Sequence, residues 1–278
     1  MGKSLIPAQR RERIHEYLAT HKIVSTALLC EMLHVSDATI RRDLEWLEND
    51  GLVERTHGGV ILNERLNLEP EYQQRAQRSP EEKNQIGILA ASMIEDGDIV
   101  FVNSGTTTTQ VIRHIRSSAD VTIITNNLIA VLELGDVGYD LILLGGEFQP
   151  KSHSVAGRFA ISNLSQVYAS KAFIGVDGIS LKHGYTVPTN AEAEVVNLML
   201  ERTHGPVYIV SDHRKWGVVS NFAIAPIHLI PRFITDDGLD PSARSALASR
   251  SVEIWLVGKN PTQNDRLHAT ELATLDRT

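Results

Sequence analysis

The stretch VSDATIRRDLEWLENDGLVERTHGG, residues 35–59, decides the fold of the amino-terminal part of the chain. Ser36 can cap a helix that runs to about Asn49, and Gly51 can end it. Three aliphatic residues of this helix recur at i, i+4 and i+7 and therefore share one buried face; they are Ile40, Leu44 and Leu47. Two short apolar arms then flank Gly58 and Gly59, which predicts a β-hairpin.

The residues before this stretch predict two further helices. One runs from about Gln9 to Thr20, with an apolar stripe formed by Ile14, Tyr17 and Leu18. Ser25 can cap the second, in which Leu29 and Leu33 share a face. We therefore expect residues 1–61, called the head from here on, to form three helices and a hairpin.

The exposed side of the third helix predicts a DNA-binding surface. If Ile40 faces the core, then Ala38, Thr39, Arg41 and Arg42 face outward in the first two turns, next to Ser36; in helix-turn-helix proteins these turns contact base edges and phosphates. Arg42 can bind guanine through two hydrogen bonds, Arg41 is better placed for a phosphate, and Asp43 is expected to orient one of them.

The hairpin tip, from Arg55 through His57 and Gly58, can lie along the DNA backbone as a wing. The alternative is that the paired arginines are an ordinary solvated surface. Net charge does not decide between the two, because residues 1–65 carry nine Lys and Arg against ten Asp and Glu, 9 − 10 = −1, in a chain of net charge −7.

The rest of the chain predicts an α/β domain. Residues 62–80 are polar with prolines at 70 and 80, which predicts a linker, in part helical, here called the connector. From residue 81 to 258, called the α/β domain, strand and helix patterns alternate, which favours a mainly parallel sheet. The predicted strands are Ile99–Asn103, Val121–Thr125, Leu141–Leu144, Lys171–Asp177, Val207–Ser211, Phe233–Thr235 and Val252–Val257. Residues 259–278 are predicted to be a polar tail.

A small-residue loop after the first of these strands predicts an anion site. Ser104, Gly105, Thr106 and Thr107 would lie at the amino terminus of a helix, where hydroxyls and N–H groups can surround a phosphate. The alternative is an ordinary capped helix after a strand.

Further polar loops should emerge at the same edge of the sheet, where open parallel sheets bind ligands. Asn126 and Asn127 follow the second strand, Gly145 and Gly146 the third, and Asp177 and Gly178 the fourth. Lys215 follows a later strand and would supply positive charge. Asp177 and the two amides could bind hydroxyls, although Asp177 serves equally well as a turn cap.

The stretch at 35–59 resembles the signature of the DeoR family of bacterial sugar-catabolism repressors. The matching residues are Val35, Ser36, Thr39 to Leu44, Leu47, Gly51, Arg55, Gly58 and Gly59. His34 stands where the family often has Gly, so it would need a left-handed conformation. In the second half, SGTT at 104–107, TNN at 125–127, GG at 145–146, KAFIGVDGI at 171–179, Glu192-Ala193 and Lys215 also match.

The resemblance implies a winged helix-turn-helix head and an effector domain similar to ribose-5-phosphate isomerase. It also implies that this effector domain binds a phosphorylated sugar or polyol. Glu192 and Asn103 then belong to the effector site. Asn103 stands where the family usually has Asp, and Val196 stands where a Lys usually follows the Glu-Ala helix start. Both changes alter the charge expected in the pocket.

Together these observations predict a cytoplasmic repressor that acts as a homodimer or homotetramer on a double-stranded operator, with no metal, no cofactor and no membrane segment. One alternative is a sugar-phosphate isomerase with a DNA-binding head, in which Asp177, Glu192 and Lys215 supply acid-base chemistry. Another is an activator or architectural DNA-binding protein with a degenerate pocket.

Overall fold

A small helical head precedes a larger α/β domain, as the sequence predicts. The computed structural model describes residues 7–21, 23–49, 53–56, 59–62, 64–65, 72–258 and 265–267. No helix among these residues is long and apolar enough to cross a bilayer.

The head contains the three predicted helices and the predicted hairpin. Its elements are α1 (Pro7–His21), β1 (Ile23–Ser25), α2 (Thr26–Leu33), α3 (Asp37–Asn49), β2 (Val53–Thr56) and β3 (Gly59–Leu62). Strand β1 was not predicted; it pairs with β3, which lies between β1 and β2 in an antiparallel sheet. The head therefore has a three-stranded sheet rather than an isolated hairpin.

The core of the head is the predicted one. The helix faces meet in one cluster that includes Ile14, Leu18, Leu29, Leu33, Ile40, Leu44 and Leu47. Ser25 caps α2, since its hydroxyl accepts from Leu28 N at 3.2 Å. His34 takes the left-handed conformation at φ 52° and ψ 44° that its position after α2 requires.

Asp43 corrects one prediction. Its carboxylate is buried and accepts from Arg10 Nε of α1 at 2.7 Å, so it does not orient Arg41 or Arg42. Asp43 follows Arg42 by one residue and therefore lies about 100° around the helix, towards α1. Its role is to hold two helices of the head together.

Within its described residues the connector is partly helical, as predicted, and it also contributes a short strand. It contains β4 (Glu64–Arg65) and α4 (Tyr72–Ala76), and the α/β domain begins with α5 (Pro80–Ala91). Tyr72 fixes α4 to the α/β domain, because its hydroxyl bonds Thr109 Oγ1 at 2.8 Å and its backbone N–H donates to Lys151 O at 3.0 Å.

One main sheet organises the α/β domain. Its strands are β5 (Ile99–Val102), β6 (Thr122–Thr125), β7 (Asp140–Leu143), β10 (Lys171–Ile174), β13 (Val207–Val210), β16 (Arg232–Asp236), β17 (Glu253–Val257) and β18 (Asp265–Leu267). The order is β18-β17-β16-β13-β10-β5-β6-β7, parallel throughout except for β18. All seven predicted strands are present. Within the predicted tail, the described residues Asp265–Leu267 form β18, which pairs with β17; the rest of 259–278 lies outside the described residues.

Helices and short strands surround this sheet. The helices are α6 (Thr106–Arg113), α7 (Leu128–Leu134), α8 (Gly157–Leu164), α9 (Asn190–Glu201) and α10 (Pro241–Ala248). The short strands are β8 (Glu147–Gln149), β9 (Ser154–Ala156), β11 (Gly178–Ser180), β12 (Gly184–Val187), β14 (Val218–Val219) and β15 (Phe222–Ala225). Two apolar clusters form around Phe101 and Phe173, which are fully buried. The carboxyl ends of the parallel strands meet at one edge, as predicted.

Candidate functional site

The predicted DNA-binding surface is exposed at the start of α3. Ser36, Ala38, Arg41 and Arg42 are exposed and Thr39 is half-buried. Ser36 O accepts from Ile40 N at 3.1 Å, while the Ser36 hydroxyl bonds the Thr39 hydroxyl at 2.9 Å. The amino-terminal turn of α3 can therefore approach a duplex without a core side chain in the way.

The two arginines differ in their surroundings. Arg41 Nε lies 2.8 Å from Asp37 Oδ2 in an exposed i, i+4 pair, whereas Arg42 forms no ion pair with a described residue. Exposed pairs of this kind contribute little, so Arg41 can exchange Asp37 for a phosphate at small cost. Arg55 is half-buried on β2, and His57 and Gly58 lie outside the described residues.

A cavity of about 570 Å³ opens at the carboxyl ends of the main sheet. This volume lies within the usual range for small-molecule sites. Of the predicted effector residues, it brings together Asn103, Ser104, Gly105, Thr106, Thr107, Asn126, Asp177, Glu192 and Lys215. Asn127, Gly145, Gly146 and Gly178 do not line it.

The loop at 103–107 forms one end of this cavity. Helix α6 begins at Thr106, and Gly105 before it has φ 157° and ψ 161°. The first N–H groups of a helix have no partner within the helix, so those of α6 point towards the cavity end. Since the helix dipole also favours negative charge there, this end suits a phosphate.

Asn103 joins two strand ends through its amide. Its Nδ2 donates to Gly175 O at 2.9 Å, and Gly175 N donates to its Oδ1 at 2.7 Å. An aspartate would accept only, which leaves the Gly175 carbonyl facing a carboxylate. The departure from the family's usual Asp therefore has a structural use in this chain.

The two asparagines after β6 have their amides occupied by protein partners. Asn126 Oδ1 accepts from Ser104 N at 2.8 Å, and its Nδ2 donates to Val155 O at 3.0 Å. Asn127 is fully buried; it caps α7 through Ala130 N and donates to Thr109 Oγ1 at 2.8 Å. Asn126 therefore lines the end of the cavity at the start of α6, whereas Asn127 supports this end from behind and does not line the cavity.

Asp177 and Lys215 meet in the cavity, and a connector arginine joins them. Asp177 Oδ1 lies 2.9 Å from Lys215 Nζ and 3.3 Å from Arg75 Nη1. Burial alone would raise the pKa of Asp177, but Lys215 and Arg75 hold the pKa below its ordinary value. Asp177 is therefore a carboxylate held between two cations.

Further cations that sequence reasoning missed line the same cavity. Lys83 is buried; its Nζ donates to Arg75 O at 2.5 Å and lies 4.0 Å from Asp212 Oδ2. Burial lowers the pKa of Lys83 to about 8, although Asp212 acts in the opposite direction. Arg78 and Arg214 also line the cavity. The cavity lining thus contains five cationic side chains, which are Arg75, Arg78, Lys83, Arg214 and Lys215, beside four carboxylates, which are Asp177, Glu192, Asp212 and Asp240.

His213 adds a titratable donor to this group. Its Nδ1 lies 2.6 Å from Asp236 Oδ2, and this hydrogen bond raises the pKa of His213 against the opposing effect of burial. No cluster of His, Cys, Asp and Glu among the described residues is suited to hold a metal ion.

Glu192 and Val196 form another side of the cavity. Glu192 lies in the first turn of α9, where its Oε2 accepts from the hydroxyl of the cap residue Thr189 at 3.2 Å. Val196 is apolar and buried. The lysine usual in the family is absent at this position, and the five cations described above supply positive charge from other elements.

Two of the three predicted glycines outside the cavity lining, Gly146 and Gly178, serve the framework. Gly145 and Gly146 are exposed after β7, and a Cβ at Gly146 would collide with Ala156 O. A Cβ at Gly178 would collide with Val218 O, so this glycine allows β11 and β14 to approach each other. Their role in effector binding stays a prediction without a contact to support it.

Sequence reasoning missed the cavity residues outside the α/β domain because the connector has no periodicity. Arg75 and Arg78 lie three residues apart just before α5, a spacing that places them on one side of a helical turn. That spacing is the only sequence signal for them. Two head residues, Ile23 and Ile61, also line the cavity, and no local sequence pattern predicts that they do.

A helix-turn-helix head with an exposed recognition helix, followed by an α/β domain with a cavity lined by charged side chains, defines a ligand-responsive DNA-binding regulator. Models of the DeoR-like helix-turn-helix domain and the DeoR C-terminal sensor domain match residues 10–66 and 78–237. The chain belongs to the DeoR family of transcriptional regulators.

Individual relatives agree with this assignment. The chain is 36% identical over 229 residues to the HTH-type transcriptional repressor GlcR of Bacillus subtilis, which covers 82% of this chain and 88% of GlcR. It is 32% identical over 250 residues to the HTH-type transcriptional regulator GlpR of Haloferax volcanii, with 90% and 98% covered. A ribose 5-phosphate isomerase from Methanocaldococcus jannaschii aligns with 49% of this chain and 54% of its own at 13% identity and a TM-score of 0.36, which carries no functional argument.

Proposed function

We propose that this chain represses a carbohydrate-utilisation operon and is released from its operator by a phosphorylated sugar or polyol. The observation that carries the proposal is the cavity, in which the amino terminus of α6 faces the same space as five cationic side chains. Asp177 and Glu192 supply acceptors for sugar hydroxyls beside that anion site. Such a combination suits a small, polar, anionic ligand.

DNA binding in this proposal rests on α3. Arg42 contacts a guanine edge, Arg41 and Ser36 contact phosphates, and Arg55 lies along the backbone with the wing. Because one helix spans few bases, we propose a homodimer or homotetramer that places two heads about one helical turn apart. The site of action is the cytoplasm, where the operator and metabolic phosphates are both present.

Release requires that the effector favour a conformation in which the heads no longer fit the operator. The coupling in such regulators is typically 1–3 kcal/mol, a change of about 5- to 150-fold in operator affinity.

A mobility-shift assay of the full chain tests this function. The probe is a duplex that spans the promoter of its own gene, at low salt. We expect retardation, and loss of retardation on addition of one member of a panel: ribose 5-phosphate, fructose 6-phosphate, glucose 6-phosphate, fructose 1-phosphate and glycerol 3-phosphate. The unphosphorylated sugars are the control. Failure of the intact chain to retard the duplex would refute the DNA-binding part.

Matched arginine variants test the cavity. Arg78→Ala removes an exposed cation from the lining and should raise the panel ligand concentration needed for release. Arg158 is an exposed cation outside the lining, and its guanidinium stacks on Phe159. Arg158→Ala should therefore leave the ligand concentration needed for release unchanged. Equal effects of the two substitutions would show that the ligand binds elsewhere.

The contact between Asp177 and Lys215 favours a second candidate function, an isomerase activity. A general base works best with a pKa near the working pH, however, and the pKa of Asp177 lies below its ordinary value. Glu192 is held by the cap of α9. We therefore propose binding without turnover. Interconversion of pentose or hexose phosphates by the full chain would overturn this part of the proposal.

A further inference from the structure

The three strands of the head present one row of side chains to the α/β domain. Glu54 of β2 pairs with Ile61 of β3, and Ile61 pairs with Ile23 of β1, so the three lie on one face of the small sheet. We call these three residues the docking row. Their neighbours Val24, Val53 and Val60 point the opposite way, into the core of the head.

The α/β domain covers this row. Ile61 is 4% exposed although it is not part of the head core cluster. Ile23 and Ile61 line the cavity that contains Gly105, Asp177 and Lys215. At the other end of the row, the buried Glu54 carboxylate accepts a hydrogen bond from Leu181 N, between β11 and β12.

The connector joins the same surfaces. Strand β4 pairs in parallel with β14, and Val218 of β14 also lines the cavity. Farther along the connector, Arg75 of α4 binds Asp177 inside the cavity. The chain that leaves the head is therefore bonded twice to the walls of the cavity.

We infer that the head is part of the effector-binding site: Ile23 and Ile61 contact the bound ligand directly, and through them the ligand displaces the head. This inference rests on the proposed function and adds its route of regulation. An anionic ligand also offers Arg75 an alternative partner to Asp177, which loosens the connector at the same time. No relay through the sheet is needed, because ligand and head share one boundary.

Shared contact has a thermodynamic consequence. If ligand and operator prefer different positions of the head, each weakens the binding of the other by the same factor. Shortening the two isoleucines should reduce both the ligand affinity and that factor.

The test uses the full chain with Ile23→Ala and Ile61→Ala combined. Leu28→Ala, an exposed head residue outside the cavity lining, is the matched control. The probes are the five sugar phosphates named above. We expect the double variant to bind the best of them at least fivefold more weakly and to show little release from DNA, while Leu28→Ala behaves as the parent. Unchanged affinity and release in the double variant would overturn the inference.

A second measurement needs no ligand and separates this inference from the proposed function. The chain has three tryptophans, and Trp216 lines the cavity. In fluorine NMR of the full chain labelled with 5-fluorotryptophan, Trp216→Phe assigns the cavity resonance. The double variant should shift that resonance and Leu28→Ala should not. If the double variant shifts the Trp216 resonance but the parent binds none of the sugar phosphates, only the proposed effector class is refuted. If the Trp216 resonance is unchanged in the double variant, the inference that Ile23 and Ile61 form part of the cavity wall is refuted.

Discussion

Replacing Glu54 with glutamine should remove a pH-dependent cost of docking the head. Glu54 is buried, its Oε1 accepts from Leu181 N, and its Oε2 has no hydrogen-bond partner among the described residues. Burial raises the pKa of Glu54 to about 7 from 4.5. The Leu181 and Ser180 donors and Arg250 lower the pKa, and Glu48 adds to the increase.

The size of the effect follows from that shift. A difference of about 2.5 pKa units at about 1.36 kcal/mol each amounts to roughly 3 kcal/mol. Because the folded-state pKa is raised, this contribution to stability is fully present below pH 4.5 and is lost as the pH rises through about 7. Glutamine keeps the acceptor for Leu181 N and never ionises, so Glu54→Gln should keep this contribution to stability as the pH rises.

Urea unfolding of the full chain, followed by circular dichroism at several pH values, measures this difference. The stability of Glu54→Gln relative to the parent should increase by about 2.5 kcal/mol between roughly pH 5 and pH 8. Glu201→Gln, at an exposed position at the end of α9, is the control and should show no such trend. A difference between Glu54→Gln and the parent that stays constant across this range would refute the reasoning.

Substitutions at four further positions test the DNA surface and the cavity. Arg42→Ala should weaken operator binding by about 1–3 kcal/mol and relax base preference, measured by competition with single-base variants of the operator. Arg55→Ala should weaken all duplexes alike and lower the salt dependence of binding by about one unit of slope, measured by titration at several salt concentrations. Asn103→Asp should cost about 1–3 kcal/mol in urea unfolding, because the Gly175 carbonyl loses its donor; Asn103→Ser, which can still donate, should cost less. Lys83, whose pKa is about 8, should take up a proton when a phosphate binds above that pH. Calorimetry in two buffers of different ionisation enthalpy detects this uptake, and Lys83→Met should abolish it.

Local patterns were sufficient to predict most of the head and the main sheet. The spacing of Ile40, Leu44 and Leu47 defines α3. The Ser25 cap and the left-handed conformation of His34 were predictable because Ser25 immediately precedes α2 and His34 immediately follows it. The strands of the main sheet are short apolar runs between turns, and their parallel order brings their carboxyl ends to one edge. These features depend on residues close together in the chain.

Other features depend on contacts between distant residues, and the sequence did not reveal them. Strand β1 is three residues long and exists because β3 pairs with it. Arg75 enters the cavity only because Tyr72 holds α4 against Thr109. Asn127 looks like a ligand residue in sequence, but the start of α6 occupies its amide. Partners of this kind cannot be inferred from spacing.

The pairing of β4 with β14 bears on how precisely an operator must be spaced. A head on a free tether would tolerate half-sites at many separations, and each binding event would have to immobilise it. Here the backbone after β3 is already ordered by the α/β domain, so part of that entropic cost is met before DNA arrives. In the proposed homodimer the two heads would therefore stand at a set separation, and we expect that inserting a few base pairs between the half-sites costs far more affinity than changing a base within either one.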